Sequence, residues 1–416
     1  MRRLGIAQGI GVAALATAMI AATAAGQGTA GTGTVGPIGQ LLPEVRTTGA
    51  PDWAQPGTRL TWYAAGASVA NAGYQWQESE DGTWEDPVTG KKYKQIEAPT
   101  AGGEGIFQLD VVGVDGPDVA VQWVLYGLDR SGGRFFGGTA GGGRDAGADP
   151  DDLWIHPDLL ATIPTTDLPD LKILRGPYTT NGSTYQALAI LSPDPNAYSS
   201  QIYDLATGTL LSTTSRTQGN ASPLHAQGQD PPEANSQITI GRWLGTRQRD
   251  AAALAFPPPA WATPGTTLTY TGSWTFVNPF DPSGQAVTYP MRLTVELAEG
   301  GPTWRAYRAS SDVTIGGMLD HTQASGVAAG TGPWWMSPAA LALVRAGDVL
   351  DEDPITGQRL TVTALDDAAG TVTIASELAG LPSVATYDRT DGTLLAVTRT
   401  EQGAGITTSL QLASIA

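Results

Sequence analysis

The stretch YDLATGTLLSTTSRTQG, residues 203–219, returns as YDRTDGTLLAVTRTEQG, residues 387–403. The two stretches align without a gap and share nine of their 17 residues. Two further pairs of similar stretches precede them in the same order, beginning at Pro51 and Pro259 and at Trp154 and Trp335. Self-similarity in a fixed order marks a duplicated structural unit, and a period near 200 residues indicates two whole domains. The chain is therefore predicted to contain two divergent copies of one domain.

Each copy of the Tyr-Asp stretch is typical of a hairpin. The carboxylates of Asp204 and Asp388 are placed to accept a backbone N–H two residues further on. Gly208 and Gly392 supply a positive φ at the end of the turn, and a Leu-Leu pair then resumes the strand. Turn chemistry explains each shared residue, so we interpret the stretch as structural.

Hydrophobic periodicity sets the class of fold. Phe107, Leu109 and Val111 alternate with Gln108 and Asp110, and similar alternation recurs through both copies. A period of two is typical of half-buried antiparallel strands. We therefore predict an all-β protein with minor short helices near residues 157–162 and 338–345. Each copy is expected to form a curved sheet, an open half-barrel or a sandwich.

The predicted organisation has four parts: a signal peptide at 1–25, a flexible linker at 26–48, a first β-rich repeat at 49–250 and a second at 251–416. The first copy is longer, and we place much of its extra length in loops at 73–105, at the Gly-rich 137–152 and at 220–235. Three prolines, at 257–259, favour a short and stiff connection between the copies.

The N-terminus and the charge restrict compartment and partners. Two arginines, an uncharged stretch and a small-x-small site around residues 22–24 have the form of a secretory signal, with an uncleaved anchor as the rival interpretation. No later segment is long and apolar enough to span a bilayer, so we expect a secreted, periplasmic or cell-surface protein. A net charge of −17 disfavours nucleic acid and anionic lipid as partners. The absence of cysteine excludes disulfides and thiolate chemistry.

Acidic clusters are the candidate metal ligands. Asp145, Asp149 and Asp151 crowd one Gly-rich stretch, and calcium binds carboxylate and carbonyl oxygens, so a calcium site is possible there. The spacing matches no established calcium loop, and no other cofactor is expected. The acids at 351–353, before a Pro-x-Thr-Gly turn, are interpreted as solvated turn residues.

Aromatic residues are the candidate ligand contacts. Of the 12 tryptophans, the repeated ones are interpreted as core anchors. Trp76, Trp84 and Trp274 have no counterpart in the other copy and lie in polar, turn-rich sequence. Their rings are predicted to stack on a sugar or to line an apolar ligand mouth. None of the three histidines has an acid or serine at a motif spacing, so a catalytic role is not predicted.

Three hypotheses of function remain open at this stage. The first is an exported non-catalytic binding protein that holds a small apolar molecule or a glycan. The second is a cell-surface structural or adhesion module, and the third is a secreted hydrolase that acts through carboxylates. The order of strands and short helix is loosely similar to that of periplasmic lipoprotein-carrier half-barrels, and this likeness assigns no residue a role.

Overall fold

The structure is a computed structural model. It describes residues 42, 47–68, 74–78, 80–82, 84–85, 91–97, 101–129, 133–149, 153–192, 197–219, 234–250, 252–277, 284–315 and 317–416. The predicted signal peptide at 1–25 and the loop at 220–233 lie outside the described residues. Within the described residues, no helix is long and apolar enough to cross a membrane.

The first repeat supplies twelve strands. They are β1 (Thr58–Ser68), β2 (Tyr74–Glu78), β3 (Trp84–Glu85), β4 (Lys92–Glu97), β5 (Ala101–Asp115), β6 (Asp118–Asp129), β7 (Arg134–Ala146), β8 (Lys172–Thr180), β9 (Ser183–Ser192), β10 (Ala197–Asp204), β11 (Leu210–Gly219) and β12 (Ala234–Gln248). Nine of them form one sheet in the order β7-β6-β5-β1-β12-β11-β10-β9-β8, and the other three form a small sheet in the order β2-β4-β3. A short helix, α1 (Pro157–Thr162), separates β7 from β8.

The second repeat supplies ten strands. They are β13 (Thr267–Val277), β14 (Ala286–Leu297), β15 (Trp304–Ile315), β16 (Met318–Ala329), β17 (Val349–Glu352), β18 (Arg359–Asp366), β19 (Thr371–Glu377), β20 (Ser383–Asp388), β21 (Leu394–Glu401) and β22 (Ile406–Ile415). They form one sheet in the order β16-β15-β14-β13-β22-β21-β20-β19-β18-β17. The helix α2 (Pro338–Leu341) separates β16 from β17, and a 3₁₀ turn (Ala252–Ala255) precedes the repeat.

The two sheets have the same strand order. In each, the first strand of the repeat pairs with the last one, three strands follow on one side, and a short helix leads to the opposite edge. Only β17 has no equivalent in the first sheet, and β2–β4 have none in the second. The prediction of an all-β protein built from a duplicated antiparallel domain is confirmed, with both sheets open at their terminal strands among the described residues.

The repeated Tyr-Asp stretch forms the predicted hairpin in both copies. The Asp204 carboxylate accepts the N–H of Ala206 at 3.3 Å, and the Asp388 carboxylate accepts the N–H of Thr390 at 2.6 Å. Gly208 and Gly392 have φ angles of 79° and 75°. These contacts match the turn chemistry expected from the sequence.

The hairpin glycines also contact the repeated stretches that begin at Trp154 and Trp335. A Cβ on Gly208 would lie 1.8 Å from the carbonyl oxygen of Ile155, and a Cβ on Gly392 would lie 1.9 Å from that of Met336. The N–H groups of Ile155 and Met336 donate to the carbonyls of these same glycines, at 3.0 and 2.9 Å. Only glycine permits this approach. In each copy, the repeated hairpin and the repeated stretch that begins at Trp154 or Trp335 therefore contact each other.

In both copies an aromatic side chain on the first strand donates a hydrogen bond to the repeated hairpin, but the residue type differs. The indole N–H of Trp62 donates to the carbonyl of Leu210 at 2.8 Å, and the hydroxyl of Tyr270 donates to that of Leu394 at 3.1 Å. Trp62 and Tyr270 occupy equivalent positions on β1 and β13. Each one ties the first strand of its repeat to the repeated hairpin.

Both short helices begin at a capping residue followed by proline. His156 accepts the N–H of Asp158 at 3.2 Å, and Ser337 accepts the N–H of Ala340 at 3.4 Å. His156 is therefore a helix cap whose role serine performs in the other copy. The second helix ends at Leu341, four residues earlier than the predicted 345.

Two compact units divide the described residues. One comprises Met1–Val45, Trp62–Gly105 and Asp149–Trp243, and its core includes Trp62 packed edge-on against Trp243 with ring centroids 5.3 Å apart. The other comprises Arg46–Thr61, Ile106–Ala148 and Leu244–Ala416. These units are defined by packing, whereas the boundaries 49–250 and 251–416 describe the sequence repeats and stay predictions.

Three local predictions are wrong. Residues 73–105 are not one loop, because they contain strands β2, β3 and β4 and the start of β5. Residues 137–146 do not form a loop either, because they belong to strand β7. Glycine suits this strand because a Cβ on Gly141 would lie 2.4 Å from the ring of Trp123. The polar face of β5 is not solvated either, since Gln108 and Asp110 are 1% and 9% exposed.

Candidate ligand-binding face

One face of β13 passes from the buried core to a partly exposed aromatic surface. Leu268 and Tyr270 are fully buried at one end of this face. Gly272, Trp274 and Phe276 continue on the same face, because side chains two residues apart in a strand point the same way. Trp274 and Phe276 are half-buried.

The neighbouring strand β14 extends the same surface. Its residues on this face are all apolar or aromatic and pair in register with the five just named; they are Val295, Leu293, Met291, Tyr289 and Val287. Val295 is buried, Tyr289 is half-buried, and Val287 is 46% exposed. Beyond the next strand, Met318 lies opposite Ile315 and is 74% exposed.

The aromatic rings contact one another. The Trp274 ring stacks on Phe276 with centroids 5.8 Å apart and planes within 10°, and it lies 5.8 Å from the Tyr289 ring. Across the sheet, the core around Leu341 of α2 and the fully buried Trp335 covers only the other end of the face. We call the surface formed by Trp274, Phe276, Val287, Tyr289 and Met318 the aromatic face.

The opposite side of these strands is more polar. Ser273, Thr275 and Thr288 lie on it, and the hydroxyls of Thr275 and Thr288 are 3.0 Å apart. When a ligand covers apolar area that the protein leaves exposed, the free energy of the complex is lowered.

A charged pair bounds the aromatic face on one side. Tyr289, Trp274, Thr408 and Arg399 form one row across β14, β13, β22 and β21. Arg399 pairs with Glu401 at 3.2 Å. Within this row, the surface therefore changes from aromatic to charged over three strands.

The aromatic face belongs to the second copy alone. With β1 and β13 aligned on the repeated opening, the residues equivalent to Trp274 and Phe276 are Gly66 and Ser68. The core positions are kept, since Leu60 is equivalent to Leu268 and both are fully buried. The two copies therefore share their cores and differ in the surface beyond them.

The other predicted ligand contacts lie elsewhere. Trp76 is in β2 and Trp84 is in β3, both in the small sheet, and their side chains are outside the described part of the structure. Their role as ligand contacts stays a prediction. Trp274 is the one predicted contact whose side chain the structure describes.

The predicted calcium ligands are only partly described. Asp145 is near the end of β7 and accepts the N–H of Ala146 at 2.8 Å, Asp149 follows that strand, and Asp151 lies outside the described residues. Among the residues that are described, no group of three His, Asp or Glu side chains is arranged to hold a metal ion. A calcium site stays a prediction.

A second feature was missed by sequence reasoning: a closed ring of alternating charges. Its members, in order, are Arg59, Asp110, Arg249, Asp351, Arg247 and Asp353. Each aspartate bridges two arginines, and each arginine bridges two aspartates. We call this set the ionic ring.

The first half of the ring lies on the strands of the first repeat. Arg59 on β1 holds Asp110 on β5 with two hydrogen bonds of 2.6 and 2.7 Å. Arg249, just after β12, donates to the same carboxylate at 2.6 Å. Burial opposes ionisation of the Asp110 carboxyl, but the charges of Arg249 and Arg59 outweigh burial and hold its pKa below the ordinary value.

The second half joins Arg247 of β12 to β17 and the residue after it. Arg247 grips Asp351 with two bonds of 2.9 and 3.0 Å. Asp353, with a side chain only 1% exposed, accepts from Arg59 at 3.0 Å and from Arg247 at 3.2 Å. Burial alone would raise the pKa of Asp353, but the backbone N–H of Thr356 and the Arg59 guanidinium lower it well below the ordinary value.

The interpretation of Asp351 and Asp353 as solvated turn acids is therefore wrong. Both carboxylates are committed to arginines that lie more than one hundred residues earlier in the chain. Gln108 donates to Asp353 at 2.9 Å and completes its shell. All six charged groups are paired within the ring, so we interpret it as a structural feature.

Comparison with known proteins adds no family. No protein-family model matches the sequence. No curated protein matches it either. Among solved structures, one match is MucB in complex with the periplasmic part of MucA, with 12% identity, 90% of this chain and 92% of that chain covered, and a TM-score of 0.21. Another is a protein of unknown function from the DUF3598 family of Nostoc punctiforme, with 10% identity, 87% and 97% coverage, and a TM-score of 0.12. At TM-scores this low, neither likeness defines the fold or the function of this chain.

Proposed function

We propose that this chain is an exported, non-catalytic binding protein whose second repeat holds an apolar ligand on the aromatic face. The observation that carries the proposal is the continuity of β13, where one side runs from the buried Leu268 and Tyr270 to the half-buried Trp274 and Phe276. Among the described residues, the aromatic part of this face is only half-buried, so apolar area remains for another apolar group to cover.

The energy available is adequate for binding. Covering about 200 Å² of apolar protein surface and a similar area of ligand is worth ~10 kcal/mol at ~25 cal/mol per Å². Association costs at least ~4 kcal/mol of that. The remainder, at most ~6 kcal/mol, is enough for an affinity from tens of micromolar to millimolar. No charged group of the aromatic face itself needs to be desolvated, which keeps the cost low.

Glycan binding is the second candidate, because half-exposed Trp274 and Tyr289 rings also stack on sugars. The two candidates differ in what they need beyond the rings. A sugar requires several convergent polar groups, whereas the aliphatic side chains of Met291 and Val287 flank Tyr289 on the same side of β14. The surroundings therefore favour the apolar ligand.

The test is a fluorescence titration with 1-N-phenylnaphthylamine, an uncharged apolar probe. Wild-type protein is expected to bind the probe saturably, and the Trp274→Ala protein to bind it at least tenfold more weakly. The matched control is Tyr185→Ala, which removes one ring of another half-buried cross-strand pair, Tyr178 and Tyr185, in the first repeat. Equal binding by all three proteins would refute the assignment. Saturable binding of a soluble oligosaccharide in place of the probe would favour the glycan.

A further inference from the structure

We infer that the β6–β7 hairpin of the first repeat is a strap that controls access to the aromatic face of the second repeat. This inference rests on the proposed function of that face. The strap consists of β6 and β7, which are antiparallel neighbours at one edge of the first sheet. Three sets of contacts place it against the second repeat.

The first set lies at the tip of the strap. The N–H of Phe135 donates to the carbonyl of Ala379 at 2.9 Å, and Phe135 is only 6% exposed. A Cβ on Gly380 would lie 2.0 Å from the Phe135 carbonyl, and one on Gly403 would lie 2.4 Å from the Cβ of Phe136. Glycine in the turns before β20 and β22 thus leaves the space that Phe135 and Phe136 at the tip occupy.

The second set lies at the charged boundary of the aromatic face. Arg399 donates to the carbonyl of Gly138 at 3.2 Å. A Cβ on Gly138 would lie 2.9 Å from the Arg399 guanidinium, and one on Gly137 would lie 3.2 Å from the Glu401 carboxylate. Arg399 is in the same cross-strand row as Trp274, two strands away, so this contact lies at the charged boundary of the aromatic face.

The third set lies at β16, an edge strand of the second sheet. The side-chain amide of Gln122 donates to the carbonyls of Val327 and Gly332 at 2.8 and 3.0 Å. A Cβ on Gly142 would lie 3.2 Å from the Val327 nitrogen. The strap therefore contacts β16 and β21, and the strands that carry the aromatic face, β13 and β14, lie between these two in the sheet order.

The glycine-rich part of the strap offers little side chain to hold it. Gly137, Gly138, Gly141, Gly142 and Gly143 lie in β7 just beyond the buried Phe135, and Arg399 donates one hydrogen bond to this part, at the Gly138 carbonyl. Glycine contributes no side chain to packing. A segment with few buried side chains opens at lower free energy than the rest of the fold, so opening is expected to begin in this part of β7.

The test uses the absence of native cysteine. A Phe136→Cys and Gly403→Cys pair joins the tip to the second repeat. A Cβ on Gly403 lies 2.4 Å from that of Phe136, so the two backbones must move apart by about 1.4 Å to reach the usual ~3.8 Å of a disulfide. Oxidised protein is expected to take up 1-N-phenylnaphthylamine at least tenfold more slowly than the same protein after reduction. A Thr275→Cys and Thr288→Cys pair on the polar side of the sheet is the control, and its oxidation is expected to leave uptake unchanged.

The outcomes separate the two proposals. If reduced and wild-type proteins fail to bind the probe, the proposed function is wrong. If they bind it and oxidation of the strap pair changes neither rate nor amplitude, the strap inference is wrong. Should the cysteine pair fail to fold or oxidise, Gly403→Ala decides, because its Cβ displaces Phe136 and is expected to speed probe dissociation at least threefold; an unchanged rate would overturn the inference.

Discussion

Trp274 and Tyr289 lie directly opposite each other on β13 and β14, with ring centroids 5.8 Å apart, on the sheet face that buries Leu268 and Tyr270. The relationship matters because the same face is core at one end and the proposed ligand surface at the other. The first repeat has the core end without the aromatic end, which locates the proposed binding activity in the second repeat.

The aromatic rings are expected to contribute to binding more than to stability. Truncating Tyr289 to Ala should weaken probe binding at least tenfold, and it should lower the free energy of unfolding by only ~1 kcal/mol, because the ring is half-buried. Chemical denaturation measured beside the titration separates the two effects. A loss of several kcal/mol with unchanged probe affinity would show that the pair serves folding alone.

Breaking the ionic ring is expected to destabilise the protein strongly. The Asp353→Asn change leaves Arg59 and Arg247 partly uncompensated in a buried site, and removing one partner of a buried pair costs about 3–5 kcal/mol. Urea denaturation measures the change. Asp367→Asn is the control, because its pair with Arg389 has an aspartate that is 89% exposed, and exposed pairs contribute only about 0–1 kcal/mol. Equal effects of the two changes would contradict a structural role for the ring.

The ring also predicts the acid limit of stability. The folded-state pKa values of Asp110, Asp351 and Asp353 lie below the ordinary value, so the unfolded chain takes up protons first as the pH falls. The stability from the ring is fully present above about pH 5 and is lost progressively below about pH 4. Thermal unfolding between pH 2 and pH 7 should therefore show a steeper acid loss for wild type than for Asp353→Asn. Parallel curves would disprove the linkage.

At high pH a buried tyrosine sets the limit. Burial raises the pKa of Tyr387 to about 12. A group with a raised folded-state pKa contributes stability that is complete below its unfolded value of about 10 and is lost as the pH rises towards the folded value. Wild-type protein is thus expected to lose stability between about pH 10 and pH 12, and Tyr387→Phe to lose less over that range. Denaturant midpoints measured across this range check the difference.

Local chemistry made the repeated hairpin predictable. Asp204, Gly208 and their equivalents satisfy the turn within a few residues, so their roles were visible in the sequence. The ionic ring was not visible, because Arg59 and Asp353 are 294 residues apart and each one alone is typical of a solvated surface. Alternation of polar residues along β5 gave the same misleading signal for Gln108.

The sequence-based prediction for β7 was wrong for a different reason. Glycine weakens a strand intrinsically, so a run that contains Gly141, Gly142 and Gly143 favours a loop on propensity. Packing reverses this preference, since the ring of Trp123 and the backbone of Val327 occupy the space that side chains would need. Trp274 was identified as a candidate from its lack of a counterpart, but its partners Phe276 and Tyr289 required the strand register.

The most direct test of the central claim is native mass spectrometry of residues 26–416, secreted from a bacterial host and measured before and after organic extraction. The account predicts extra mass that extraction removes, and a markedly smaller occupied fraction in the Trp274→Ala protein than in the Tyr185→Ala control. A bare polypeptide mass under gentle conditions, together with no uptake of added apolar probe, would contradict it.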